Sequence, residues 1–314
     1  GTVLSADAVV VATGATPRRF PGTEELGQRD GLFTLRTLDD SLALRAALTA
    51  REGARVIVIG AGFIGAEVAS TCVGLGCAVT VLEAMDIPLA NVLGPVVGSH
   101  CGSLHAANGV ALKAGVGVGS VRKGGDGVGL EVELADGSVL SADLVVVGIG
   151  VVPEVGWLEG SGLKIGNGVE CDASMLAADG VAAAGDLARW TWRHDGGEEQ
   201  IRIEHWQLAA EMGVAAARSL LAGRRAAPVF SPIPYFWSDQ YGIRFQVLGN
   251  PGGTDEVEVV NGSMEEGKFV ALYGRAGRLR AIFAIGKPRQ LMQFRPLLEA
   301  GTSWDDALAH ASTL

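Results

Sequence analysis

Residues 55–67 read Arg55-Val56-Ile57-Val58-Ile59-Gly60-Ala61-Gly62-Phe63-Ile64-Gly65-Ala66-Glu67. A short β-branched strand runs into Gly60-x-Gly62-x-x-Gly65, and an apolar helical stretch follows. The next β-branched run, Ala78-Val79-Thr80-Val81-Leu82, closes on Glu83. In such a unit the first glycine makes the tight turn, the second lets the backbone approach a pyrophosphate, and the third packs helix on strand. The phosphates then meet free N–H groups at a helix N-terminus. The acidic residue stands at about the ~20-residue spacing expected of a ribose ligand. Dinucleotide binding by Gly60, Gly62, Ile64, Gly65 and Glu83 is the reading. Residues 84–90 hold no Lys or Arg to pair a 2′-phosphate, and Asp86 would repel one, which predicts NADH over NADPH.

Outward from this unit, Asp7-Ala8-Val9-Val10-Val11-Ala12-Thr13-Gly14 is a nearly uninterrupted apolar strand of the kind buried in a parallel sheet. Thr37-Leu38-Asp39-Asp40 begins a helix with Thr37 as N-cap, running to about Arg51. A second helix is predicted over Pro95–Asn108, stopping at Gly109. Leu130–Leu134 and Ser138–Leu140 flank Asp136-Gly137 as a hairpin, and Asp143–Gly148 reads as another buried strand. Gly180-Val181-Ala182-Ala183-Ala184-Gly185-Asp186 is a short strand ending on an acid, and Gln207–Leu221 a helix. After Pro228, four alternating stretches (Ile243–Leu248, Glu256–Val260, Phe269–Tyr273, Leu279–Ile285) read as antiparallel strands, followed by helices over Arg289–Glu299 and Trp304–His310.

The 314 residues suffice for two or three domains with substantial cores, and 48% hydrophobic with 19% charged is an ordinary soluble balance. A net charge of −10 argues against nucleic acid as the main partner. No apolar run is long enough for a membrane span, and the N-terminal residues lack the pattern of a signal peptide, so a cytoplasmic protein is expected. Four cysteines, Cys72, Cys77, Cys101 and Cys171, form no Cys-x-x-Cys pair. Cys72 and Cys77 lie on the nucleotide helix and the next strand, where a redox dithiol is not expected. His100, Cys101 and His105 share one helix but lack a fourth ligand, so no metal site is assigned.

The order of an Ala-Thr-Gly strand end, a GxGxxG and a Gly-Asp resembles the FAD- and NAD-dependent pyridine-nucleotide reductases. Within them the chain is most similar to the ferredoxin reductases that serve cytochromes P450 and aromatic-ring dioxygenases. The resemblance covers nearly the whole chain. It rests on Tyr235-Phe236-Trp237-Ser238-Asp239-Gln240-Tyr241, on Arg202-Ile203-Glu204-His205-Trp206 and on Gly62–Glu67. It implies an α/β fold with two Rossmann-like nucleotide-binding domains and a C-terminal α+β reductase domain. It also implies FAD and NAD as cofactors, and a [2Fe–2S] ferredoxin as electron acceptor. Thr13, Gly14, Gly185, Asp186, Glu204, His205, Trp206 and Trp237 would contact FAD. Glu67 would stand near the nicotinamide as the catalytic residue, and Ile149 and Gly150 would touch NAD by backbone.

Only twelve residues precede Thr13. The resemblance therefore implies that about 90 residues are absent, including the first βαβ unit that anchors FAD and a lysine that would pair with Glu67. The expected division is a remnant of the FAD domain at 1–22, an NAD domain at 23–150, a second FAD segment at 151–228 and the C-terminal domain at 229–314. Gly1, in place of a starting Met, fits a fragment. The alternatives are a non-catalytic NAD-binding remnant unable to hold FAD, or a flavin reductase with another acceptor (a small quinone, monodehydroascorbate or a fused haem domain). Residues 268–295 carry Lys268, Arg275, Arg278, Arg280, Lys287, Arg289 and Arg295 with no Asp or Glu. A basic surface of this kind would steer an acidic ferredoxin.

Overall fold

The computed structural model describes residues 2–125, 127–194 and 197–313. Its centre is a five-stranded parallel sheet in the order Leu32–Phe33, Leu144–Val147, Arg55–Ile59, Ala78–Leu82, Ala111–Lys113. After the exposed Arg55, strand Arg55–Ile59 is apolar and buried because both of its faces are covered. Val56 and Val58 pack with Val68 and Ala69 of the helix Phe63–Gly74. Ile57 and Ile59 pack on the opposite side with Val121, Leu130 and Val132 of a three-stranded antiparallel sheet, Val118–Lys123, Leu130–Leu134 and Val139–Ala142. The expected hairpin around Asp136-Gly137 is the second half of that sheet.

Helix Leu38–Thr49 starts where its capping residues place it. Thr37 Oγ1 accepts the Asp40 N–H at 3.1 Å, and the Asp40 carboxylate accepts the Thr37 N–H at 2.9 Å. The helix expected from Pro95 extends back to Ala90 and runs to Ala107, but Gly94, at φ 71° and ψ 167°, breaks it. Pro95 therefore does occupy a first turn, that of the second piece.

The N-terminal strand Val9–Val11 pairs in parallel with Val181–Ala183, which pairs antiparallel with Leu176–Ala178. Helix Trp206–Ala222 lies on this sheet through Leu208, Met212 and Ala216. A four-stranded sheet of Ile165–Gly166, Gly168–Cys171, Ala188–His194 and Gly197–Ile201 closes the same core around Trp190 and Leu187. Of the strand Val9–Val11, expected to be buried, only Val11 enters this core, while Val9 and Val10 are exposed. The two halves are joined by the antiparallel crossing of Ala15–Pro17 with Val151–Pro153.

The C-terminal sheet is antiparallel, in the order Tyr235–Gln240, Ile243–Gly249, Arg278–Ile285, Lys268–Arg275, Glu256–Ser263. Its two central strands are buried almost without interruption rather than alternately. One face packs on Leu93, Val97 and Cys101 of the kinked helix, and the other on helices Pro288–Gln293 and Trp304–Ala311. The single helix expected over Arg289–Glu299 is two short ones, because Phe294 and Pro296 start a new turn at Arg295–Glu299. Tyr235–Gln240 is a strand that its prolines and aromatics do not announce. Among the described residues, no helix is long and apolar enough to cross a membrane.

Candidate functional site

The glycine turn is sterically required. Gly60 has φ 101°, and a Cβ there would lie 2.5 Å from the Gly148 carbonyl oxygen. A Cβ on Gly65 would meet the Gly60 carbonyl oxygen at 2.0 Å. At Gly62 a Cβ would meet nothing within 4 Å, so the front of the turn is open above the first N–H groups of helix Phe63–Gly74. Phosphate oxygens fit that space and that polarity. Ile149 reaches the same turn, its Cγ2 3.5 Å from the position of a Gly60 Cβ, and Gly150 follows at φ 91°.

Glu83 is 9% exposed at the rim. Its Oε2 accepts the Ala61 N–H at 2.7 Å and its Oε1 accepts the Met85 N–H at 2.9 Å. The carboxylate therefore braces the glycine turn, and each oxygen keeps a lone pair for a ribose hydroxyl. The donor set, the open front at Gly62 and the adjacent carboxylate fit NAD.

On the other side, Thr13 Oγ1 donates to the Glu154 carbonyl at 2.8 Å and accepts from Trp157 Nε1 at 3.3 Å. Gly14 at φ 72° and Gly185 at φ 81° bracket Arg36 and Asp186, whose Nη2 and Oδ2 lie 2.7 Å apart. Arg202 donates to the Asp186 carbonyl at 2.8 Å and pairs with Glu204 at 2.6 Å. His205 is the N-cap of helix Trp206–Ala222, and its Nδ1 is buried with no partner among the described residues. Burial pushes the His205 imidazole down to about 4, so it is neutral at pH 7. Trp206 is 80% exposed. An orphaned ring nitrogen, a carboxylate, an open indole and a helix N-terminus together fit the polar and planar parts of FAD.

The two halves meet at strand Tyr235–Gln240. The Phe236 ring stacks on His205 at 4.8 Å and stands edge-on to Phe63 at 4.6 Å. The N-termini of both nucleotide helices thus converge on one side chain. Trp237 points to the opposite strand face, partly exposed beside Tyr235. Ser238 turns back to the helix Phe63–Gly74 and donates to Glu67 Oε1 at 2.5 Å. Burial raises the Glu67 carboxyl above its ordinary range, opposed by the Ser238 hydroxyl and the Asp239 amide. Arg36, Phe63, Phe236 and Ser238 are missed by sequence reasoning. Phe63, Phe236 and Ser238 lie inside the quoted motifs with no role assigned to them, whereas Arg36 lies outside every motif.

Other candidates separate. Arg280 is 7% exposed, bound by Nη2 to Glu199 at 2.7 Å and by Nη1 to His194 Nδ1 at 2.6 Å. Arg275 is held by Asp255, Arg278 donates to the Gly301 carbonyl, and Arg295 pairs with Glu299. Within the basic segment from Lys268 to Arg295, the arginines at 275, 280 and 295 are in ion pairs. His105 Nδ1 meets Tyr241 Oη at 2.7 Å, whereas His100 stands edge-on to Phe269. Among the described residues no group of three His, Cys, Asp or Glu side chains is placed to hold a metal. Cys72 is buried and its thiol is pushed up to about 12.

A family model described as pyridine nucleotide-disulphide oxidoreductase matches residues 1–213, and one described as reductase C-terminal matches 235–313. The anthranilate 1,2-dioxygenase system ferredoxin–NAD(+) reductase component of Burkholderia cepacia is 37% identical over 311 residues, 97% of this chain and 73% of that protein. The 5,5'-dehydrodivanillate O-demethylase ferredoxin reductase subunit of a Sphingobium species is 36% identical over 309 residues, 97% of this chain and 72% of its own. The covalent putidaredoxin reductase–putidaredoxin complex superposes with a TM-score of 0.89 at 29% identity, over 100% of this chain and 76% of that one. These matches overturn the expectation of a missing FAD-binding segment and an incomplete FAD domain. The first family model runs from residue 1, so residues 1–22 belong to the matched region. The chain belongs to the pyridine nucleotide-disulphide oxidoreductase family, with FAD and NAD as its cofactors.

Proposed function

We propose that this chain is an NADH-dependent ferredoxin reductase that delivers electrons to a [2Fe–2S] ferredoxin feeding a P450 or dioxygenase. The observation that carries the reading is the convergence of two nucleotide helices on Phe236, one from each half. It would bring a nicotinamide and a flavin to the same few ångströms. FAD, when bound, would supply the redox chemistry, accepting a hydride's two electrons from NADH and passing them on one at a time to two oxidised ferredoxins.

The chain's own residues bind, orient and neutralise. Gly60, Gly62 and Gly65 with the helix N-terminus hold the NADH pyrophosphate, Glu83 takes the ribose hydroxyls, and Ile64, Ile149 and Gly150 line the approach. Asp186, fixed by Arg36, takes the ribityl chain of FAD, with Thr13, Gly14 and Gly185 beside it. Glu204 fixes Arg202 behind Asp186. The N-terminus of helix Trp206–Ala222 aims its positive end at the flavin, and neutral His205 adds no charge there. Trp206 and Trp237 cover the ring. NADH becomes a cation as it loses hydride, and the Glu67 carboxylate stabilises that charge. On this reading residues 23–150 hold NADH, 1–22 with 151–228 hold FAD, and 229–314 cover the junction. Ferredoxin meets the charges left outside ion pairs in the basic segment, Lys268, Arg278, Lys287 and Arg289.

Anaerobic addition of NADH to the FAD-loaded protein tests this. The flavin absorbance should bleach fully at one equivalent, with kcat/KM for NADPH far below that for NADH. An unbleached spectrum, or equal efficiency with both, contradicts it.

A further inference from the structure

The strand that covers the junction also reaches into it. Ser238 and Gln240 are each 1% exposed and lie on the same strand face. Gln240 Nε2 donates to Ser238 Oγ at 3.0 Å, and Ser238 Oγ donates to Glu67 Oε1 at 2.5 Å. A hydroxyl has one proton, so with Gln240 feeding its oxygen that proton is committed to Glu67. The Asp239 amide donates to the same carboxylate. No cation among the described residues forms an ion pair with Glu67. The one charged group acting on it is Asp239, of like sign and held in turn by Arg244 through two contacts of 2.7 Å.

We propose that Ser238 is a positioning residue that, with Gln240 behind it, holds the Glu67 carboxylate in place and in its charged form, so that the C-terminal unit completes the nicotinamide site. This rests on the role given to Glu67 above. Cohesion of the two units does not need the contact. The Tyr241 N–H donates to Ser70 Oγ at 2.7 Å, Tyr241 Oη meets His105 Nδ1, and Phe236 packs on Phe63. Burial disfavours the charged form of a half-buried carboxylate, and the ordered donors Gln240, Ser238 and the Asp239 amide oppose that effect.

The groups around Glu67 leave its titration readable. Arg45, Ser41, Thr71 and Cys72 line the groove it shares, and Asp239 flanks it. Burial pushes the Cys72 thiol up to about 12, and Arg244 lowers Asp239, so neither titrates between pH 5 and 8. The experiment follows the ¹³C carboxyl resonance of Glu67, assigned with Glu67→Gln, in the FAD-loaded protein from pH 4 to 8. Flavin reduction by NADH is timed in parallel. Ser238→Ala should move the midpoint up by about one pH unit and slow flavin reduction about tenfold at its acid limb, and Ser238→Thr should restore both. Gln240→Leu should move the midpoint the same way by less, which keeps the test open if Ser238→Ala unfolds. A wild-type midpoint in Ser238→Ala and Gln240→Leu, with Glu67→Gln slow, overturns the role of Ser238 alone. Wild-type flavin reduction in Glu67→Gln overturns the role of Glu67, and that of Ser238 with it.

Discussion

At Gly65 the space for a side chain is already filled by the Gly60 carbonyl, and at Gly62 it is empty. The two glycines of one motif therefore fail differently. Gly65→Ala should lower unfolding free energy by about 1–3 kcal/mol in urea titrations, because backbone must move. Gly62→Ala should leave the urea midpoint unchanged and weaken NADH binding by at least about tenfold, measured by nicotinamide fluorescence, because the methyl enters the phosphate space. His205 gives a pH-dependent counterpart. Its folded pKa of about 4 lies below its unfolded value, so the unfolded chain binds the extra proton in between. Stability should thus fall as pH drops from about 6.5 toward 4, and Tm in Gln-substituted protein (His205→Gln) should fall less over that window than wild type. An identical slope in both would show that His205 is not desolvated. Glycine requirements are legible in residue types because only Gly tolerates them. The burial of His205 is not, since it depends on Phe236 arriving from 31 residues away.

Elements divide in the same way. The parallel strands and the Thr37 cap are local statements: an unbroken β-branched run, a hydroxyl three residues before an acid. Thr37→Ala should cost about 1 kcal/mol of stability by denaturant titration, since the Asp40 N–H loses its hydroxyl acceptor while the backbone N–H of residue 37 still donates to the Asp40 carboxylate. Strand Tyr235–Gln240 is legible only as a motif, because its partners are Ile243–Gly249 on one side and two helices from distant segments on the other. The helix at 90–107 shows the opposite case. Gly94 and Pro95 mark its break, but the turn before the break is built only because Leu89 and Leu93 have a sheet to bury against.

For the whole molecule, charge tells less than placement. A run of seven basic residues between 268 and 295 suggests one face, yet burial and ion pairing divide it. Lys268→Glu with Lys287→Glu should slow ferredoxin reduction and flatten its salt dependence, while leaving flavin reduction by NADH at the wild-type rate. An unchanged rate and salt slope would place the docking face elsewhere. The NADH half of the proposed site is legible mainly through Gly60 to Gly65 and Glu83, because that motif is local. The proposed FAD half would draw on residues 13–14, 36, 185–186 and 202–206, and the Arg36–Asp186 pair among them has no sequence signature.

The central claim is that electrons leave this protein one at a time to a [2Fe–2S] ferredoxin. Cytochrome c reduction by NADH, measured with the FAD-loaded chain and with or without added [2Fe–2S] ferredoxin, tests it most directly. The account predicts rapid reduction that saturates with ferredoxin and a small residual rate in its absence. A rate that is equally fast without ferredoxin, or that ferredoxin does not raise, would contradict it.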